Sequence, residues 1–364
     1  MHVALGAIFL VDEAGGAGTY ARELVGALSG AGVRVTAFVG STAPAEVFEI
    51  PGAEWVRLPD PGASGRRHYW HELAGIGLRA RHHGADLVHG LAGTVPLVPR
   101  SLPRVVTLLD TLWLEQPQTY PARIRIPWRV LFPLCARTAT RVLTISQDAR
   151  TRIALRVGVD PARIDVTPLG FRAPPAAAAP GALPGGLDER PVVLCVSGKR
   201  RYKNQQALIE AVATLPGVRL VLVGSGGPYE RELQELAGRL RVDALFLGWV
   251  DPAVLEALYA RADVFVLPSL QEGFGLPVLE AMGRGVPVAC SATSSLPEVA
   301  GDAALLFDPR EPAQIADAIR RILADPALAQ RLREAGRERA AQFTWERTAA
   351  LTIESYERAL CTSD

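Results

Sequence analysis

Twice along this chain, short and uninterrupted apolar runs alternate with segments of helical period, and a stretch of proline, glycine and alanine separates the two series. Runs that are apolar at every position, rather than at every second one, fit strands covered on both faces, as in a parallel sheet flanked by helices. The first series comprises residues 3–10, 33–39, 87–89, 105–109 and 142–145, and the second 192–196, 220–223, 245–247, 264–267, 286–290 and 304–307. Each series predicts an α/β domain with a doubly wound, Rossmann-like sheet, whose ligands bind at the carboxyl ends of the strands.

The first intervening helix carries Ala21, Leu24, Val25 and Leu28 on one face, with Gly30 where a C-cap would stand. Late in the chain, Ile315, Ile319, Ile322 and Leu323 mark an amphipathic helix, and a last helix is expected over 345–360. The segment PLGFRAPPAAAAPGALPGG resists both ladder and helix and offers little to bury, so it reads as a linker. At 364 residues the chain is long enough for two cores of roughly 150 residues each. The expected plan is a first domain over 1–170, a linker over 171–190, a second domain over 191–345, and a terminal helix, 346–364, that crosses back to the first domain.

Lysine and arginine number 39 against 38 aspartates and glutamates, which leaves no global field to attract nucleic acid, so any anion site must be local. Cys135, Cys195, Cys290 and Cys361 lie far apart with no Cys-x-x-Cys pair, against a zinc knuckle or a disulfide framework and in favour of a reducing cytoplasm. MHVALGAIFL lacks a basic leader and a cleavage-like site, and reads as a buried strand rather than a signal peptide. No apolar run approaches the roughly 20 residues that span a bilayer. A cytoplasmic protein, with peripheral contact at the inner face of a membrane left open, is expected. The alanine- and arginine-rich composition points to a high-GC bacterium.

Three segments carry chemistry. GGAGTY, with Gly15, Gly16 and Gly18, stands between the first strand and first helix, where backbone amides approach an anion or simply form a tight turn. SGKRRYKN packs Lys199, Arg200, Arg201 and Lys203 at a strand end, where cations suit a diphosphate or form a solvated basic loop. PSLQEGFGLPVLEAMGRGVPV sets Glu272 and Glu280 eight positions apart around Phe274, Gly275, Leu276 and Pro277. Pro277 suits a first helical turn, so the amides just before it would form a cradle, with both carboxylates aimed at the hydroxyls of one ligand.

In this order, together with LGWVDPAVLEALYARADVFVLPS and SSLPEVAGDAALLFDP, these motifs resemble the retaining GT-B glycosyltransferases of family 4. The likeness is dense over 190–345 and looser before 170. It implies two facing Rossmann-like domains with a cleft between them, and a nucleoside-diphosphate sugar as co-substrate, with neither a cofactor nor a metal. It further implies that Glu272 contacts the donor sugar and Glu280 the nucleotide ribose. The backbone of Phe274, Gly275 and Leu276 would hold sugar and phosphate, Lys203 and Gly16 the diphosphate, and Val250 the base.

Two departures stand out. The family's diphosphate arginine has no counterpart at Ser197 or Gly198, leaving Lys199 or Arg200 as substitutes, and Leu109 stands where relatives carry a histidine beside the donor sugar. His89, at a strand's carboxyl end, reads either as orienting a substrate or as a histidine satisfied by backbone, and Asp110 either binds an acceptor hydroxyl or caps the next turn. GRRHYWHE (65–72) and RIRIPWR (123–129) mix cations with aromatics, and suit an acceptor lining, contact with anionic lipid, or plain surface. The acceptor is left open among a polysaccharide precursor, a lipid and a soluble natural product. The rival readings are a nucleotide-sugar epimerase, a phosphorylase of the same architecture, and a non-catalytic nucleotide-sugar binder.

Overall fold

A computed structural model describes residues 1–10, 15–59, 66–172, 183, 187 and 190–362. The chain divides into two units, Met1–Gly170 with Thr344–Asp364, and Phe171–Phe343. Most of the expected linker lies outside the described residues.

The first unit is built on a seven-stranded sheet in the order β3-β2-β1-β4-β5-β6-β7. Its strands are β1 (His2–Gly6), β2 (Arg34–Val39), β3 (Ala53–Arg57), β4 (Leu87–Gly90), β5 (Arg104–Thr107), β6 (Arg141–Thr144) and β7 (Ile164–Val166). Every pairing is parallel, and β1 lies between β2 and β4, with Val3 opposite both Val35 and Leu87. That reversal of strand order is the topological switch point at which such sheets open on a ligand. The apolar runs sit where a two-sided core requires them: Val3, Ala4, Leu5, Val105, Val106 and Val142 expose no more than a trace of surface.

The first helix, Gly15–Gly30, buries Ala21, Leu24, Val25 and Leu28 as its period predicts. It runs through Gly30, and the left-handed residue after it is Gly32 (φ 82°), whose neighbour Val33 donates to the carbonyl of Leu28. The GGAGTY segment is therefore the first turn of this helix rather than a loop before it.

The terminal helix, Trp345–Cys361, is capped by Thr344, whose hydroxyl accepts from the Arg347 amide, and it packs against Gly15–Gly30 in the first unit. Its buried face carries Tyr356, Ser355, Thr352 and Thr348 rather than a plain aliphatic stripe. Ser355 donates to Asp165 of β7 at 2.6 Å, and Arg141 and Arg358 approach the same carboxylate at 2.6 and 3.2 Å. Burial works against the Asp165 charge, but Arg141, Ser355 and Arg358 outweigh it and hold the carboxyl below its usual range.

The second unit repeats the plan in six strands ordered β10-β9-β8-β11-β12-β13, all parallel. They are β8 (Val192–Val196), β9 (Arg219–Val223), β10 (Ala244–Leu247), β11 (Val264–Leu267), β12 (Val288–Ser291) and β13 (Ala304–Phe307). Ile315, Ile319 and Ile322 of helix Pro312–Ala324 close the core from one side. No helix among the described residues is long and apolar enough to cross a membrane.

Candidate functional site

In the second unit the loops that follow β8, β11 and β12 converge. Lys203 sits in a short 3-10 turn, Arg201–Lys203, after β8, and Glu272 in the loop after β11. The Lys203 ammonium donates to both carboxylate oxygens of Glu272, at 2.7 and 2.9 Å, with the two side chains 16% and 8% exposed. Burial opposes the lysine's charge, but Glu272, aided by Tyr202, more than offsets it and raises the pKa above the ordinary value. The lysine is thus held as a cation at the carboxyl end of the sheet.

The Glu272 loop is braced at every turn. Ser269 donates to its carboxylate at 2.6 Å, its own amide donates to Ser294 Oγ at 2.9 Å, and Ser295 Oγ donates to the carbonyls of Glu272 and Phe274 at 3.1 and 2.8 Å. The SSLPE motif contributes these two serines. The alternation of apolar runs gives no hint of that role, because the bonds join residues more than twenty positions apart.

Gly275 ends the loop with φ 110° and starts helix Leu276–Gly283, with Pro277 in its first turn. A β-carbon on Gly275 would stand 2.5 Å from Leu296 Cδ2, so both the dihedral and the packing call for glycine. The amides of Gly275 and Leu276 precede the first available intrahelical acceptor and, with the helix dipole, favour an anion or hydroxyl oxygen. Phe274 is buried against Phe343 with ring centroids 5.8 Å apart, which fixes the loop from beneath.

Glu280 lies one turn into this helix. The buried hydroxyl of Tyr259 donates to it at 3.1 Å, and burial raises its pKa, with Arg284 opposing. Arg284 is itself tied to Glu256, donating from Nε at 2.8 Å, and stacks over the Tyr259 ring at 4.7 Å.

The two lysine and arginine substitutes fare differently. Lys199 is fully buried, and its ammonium donates to the carbonyl of Gly224 at 2.5 Å and to that of Leu247. Burial lowers its pKa, with Glu230 only partly offsetting. This corrects the diphosphate reading of Lys199: its ammonium ties the ends of β9 and β10. Arg200 is exposed, and its guanidinium makes no hydrogen bond or ion pair among the described residues. Val250 lies half-buried three residues beyond the end of β10, next to Trp249, which is 76% exposed.

In the first unit, a cavity of about 610 Å³ opens at the carboxyl ends of β1, β2, β4 and β5. Asp110 and Leu109 stand in its wall, and Asp110 also accepts from the Leu112 amide at 2.9 Å, so capping and lining coexist. From the two mixed cationic and aromatic segments, His68, Tyr69, Ile124 and Trp128 join the wall, whereas Arg123, Arg129 and Trp70 face outward. Phe9, Trp113, Tyr120 and Phe132 complete an aromatic lining that periodicity does not reveal. Gly16 is exposed in the first helical turn, beside the cavity residue Ala17.

His89 is the second correction. It has no exposed surface, and its ring nitrogens lie 2.7 Å from Tyr356 Oη and 2.7 Å from Thr107 Oγ1, with Tyr20 Oη continuing the chain at 2.9 Å. Burial lowers its pKa to about 3. A neutral ring bonded at both nitrogens and closed from solvent joins β4 and β5 to the terminal helix.

Comparison with known proteins fits this architecture. The family model "Glycosyltransferase Family 4" matches residues 14–172, and "Glycosyl transferases group 1" matches residues 185–339. An O-antigen chain mannosyltransferase B of Escherichia coli is 33% identical over 71% of this chain and 72% of its own length. A D-inositol 3-phosphate glycosyltransferase of Pseudarthrobacter chlorophenolicus is 30% identical over 96% of this chain and 91% of its own. The structure of Anabaena HepE in complex with UDP and glucose superposes with a TM-score of 0.76 over 98% of this chain and 99% of that one, at 22% identity. Two parallel α/β units, two adjoining family matches and relatives alike along most of their length establish that the chain belongs to the family 4, group 1 glycosyltransferases and has the GT-B fold.

Proposed function

We propose that the chain transfers a sugar from a nucleoside-diphosphate sugar, held in the second unit, to an acceptor hydroxyl held in the first, with retention of configuration and without a metal ion. The observation that carries this reading is the Lys203–Glu272 pair beside the helix start at Gly275. One face of such a site offers a fixed cation and two outward amides to a diphosphate, and the other offers a carboxylate to sugar hydroxyls. The complex of HepE with UDP and glucose and the family resemblance support a donor of this class.

As the bond from the sugar's anomeric carbon to the diphosphate breaks, its electron pair goes to the phosphate oxygen, where Lys203 and the amides of Gly275 and Leu276 stabilise the charge. The acceptor oxygen bonds to the same face of that carbon, and its proton passes to the departing phosphate oxygen. Glu272 holds the sugar, and Glu280 the ribose. Stabilisation by preorganised charges of this kind needs no reorganisation during the step.

Glu272→Gln keeps the shape and most hydrogen-bond capacity but removes the charge. It is expected to lower kcat/KM for transfer from UDP- or GDP-sugars by about 100-fold or more, by the scale on which single preorganised contacts act, with the fold retained by circular dichroism. Wild-type turnover should persist in EDTA, and proton NMR should show the donor's anomeric configuration in the product. Near-normal turnover of the variant, loss of activity in chelator, or an inverted product would each defeat a part of the proposal.

A further inference from the structure

The cavity of the first unit has a chemical character that the transferase reading does not specify. Its apolar side is an aromatic cluster: Trp128 stacks on Phe132 with centroids 5.0 Å apart at 22°, and Trp113 and Tyr120 meet these rings edge-on at 5.2 and 5.1 Å. Rings locked in this way present flat faces at little entropic cost.

Its polar side is anionic or neutral. Glu72 and Asp110 are the carboxylates, Ser41, Thr42 and Thr94 supply hydroxyls, and no lysine or arginine lines the cavity among the described residues. The one basic side chain among the described lining residues, His68, lies 3.3 Å from Glu72, so even its protonated form leaves no surplus positive charge.

Resting on the proposal that the first unit holds the acceptor, we infer that this acceptor presents an apolar face to the aromatic cluster and carries no phosphate or other anionic group. A phosphate brought into this cavity would lose water and meet two carboxylates, with no lysine or arginine among the described lining residues in return. A neutral ligand loses far less water and stacks on Trp128. The inference separates this chain from the relative named for D-inositol 3-phosphate.

Calorimetric titration of the full-length protein with phenyl β-D-glucopyranoside and with its 6-phosphate tests the inference, because the probes differ only in the anion. The neutral probe is expected to bind at least about tenfold more tightly. Trp128→Ala should weaken it about fivefold or more, and Glu72→Arg should shrink or reverse the preference. Equal or tighter binding of the phosphate by the wild type, no binding of either probe, or a neutral-probe affinity untouched by Trp128→Ala would overturn the inference. UDP and GDP titrated into the same preparations keep the two ideas apart: failure of both nucleotides to bind counts against the donor reading, and a wrong probe preference with intact nucleotide binding counts against the acceptor class alone.

Discussion

Lys203 and Glu272, the pair proposed to meet the donor, are a largely buried ion pair. Removing one partner from a buried ion pair leaves an uncompensated charge that costs about 3–5 kcal/mol, which is why Glu272 variants need a stability control beside the activity assay. His89 makes the opposite case, a buried group that stays neutral. Its folded pKa of about 3 lies below the ordinary value of 6.5, so the unfolded chain takes up a proton first. Its contribution to stability is full above pH 6.5 and is lost as the pH falls through 6.5 toward 3. His89→Gln should therefore flatten the acid limb of stability against pH across that window, while kcat at the pH optimum stays close to wild type. An unchanged acid limb, or a collapse of kcat in a folded variant, would contradict the buried-neutral account. The placement of Lys203 after a strand, Glu272 in a loop and Glu280 one turn into a helix was legible from local spacing. The roles of His89 and Lys199 were not, because Tyr356, Gly224 and Leu247, which engage them, are brought near only by the fold.

At the scale of elements, helix Leu276–Gly283 depends on one left-handed residue. Gly275→Ala combines a strained dihedral with a β-carbon 2.5 Å from Leu296. A loss of about 1–3 kcal/mol in urea unfolding is expected, with a raised KM for the donor as the amides shift. A variant as stable and as active as the parent would show that the loop tolerates another path. Most strands were legible as apolar runs. β3 and β7 were not, because both lie at sheet edges, where AEWVR is half exposed and IDV spans only three residues. The first strand is also shorter than its apolar run: the chain turns after Gly6, and Ile8 and Phe9 go to the cavity wall instead of the ladder. A run of apolar letters does not distinguish a residue that fills a core from one that lines a cavity.

The whole molecule repeats one topology, and the repeat was legible because each series of buried strands is long enough to specify its own parallel sheet. The two strand orders coincide through their first six members, 3-2-1-4-5-6, with a seventh strand in the first unit. The terminal helix closes the first unit through hydroxyls and an ion-pair cluster at Asp165, a set of bonds that hydrophobic periodicity carries only in part. The account as a whole rests on the second unit's grip on a pyrophosphate. Calorimetric titration of UDP and GDP into the full-length protein in EDTA, with wild type and Lys203→Met side by side, measures that grip. One of the two nucleotides should bind the wild type, and the variant, shown to be folded, should bind it at least about tenfold more weakly. Wild-type protein that binds neither nucleotide, or a variant with an unchanged dissociation constant, would contradict the account.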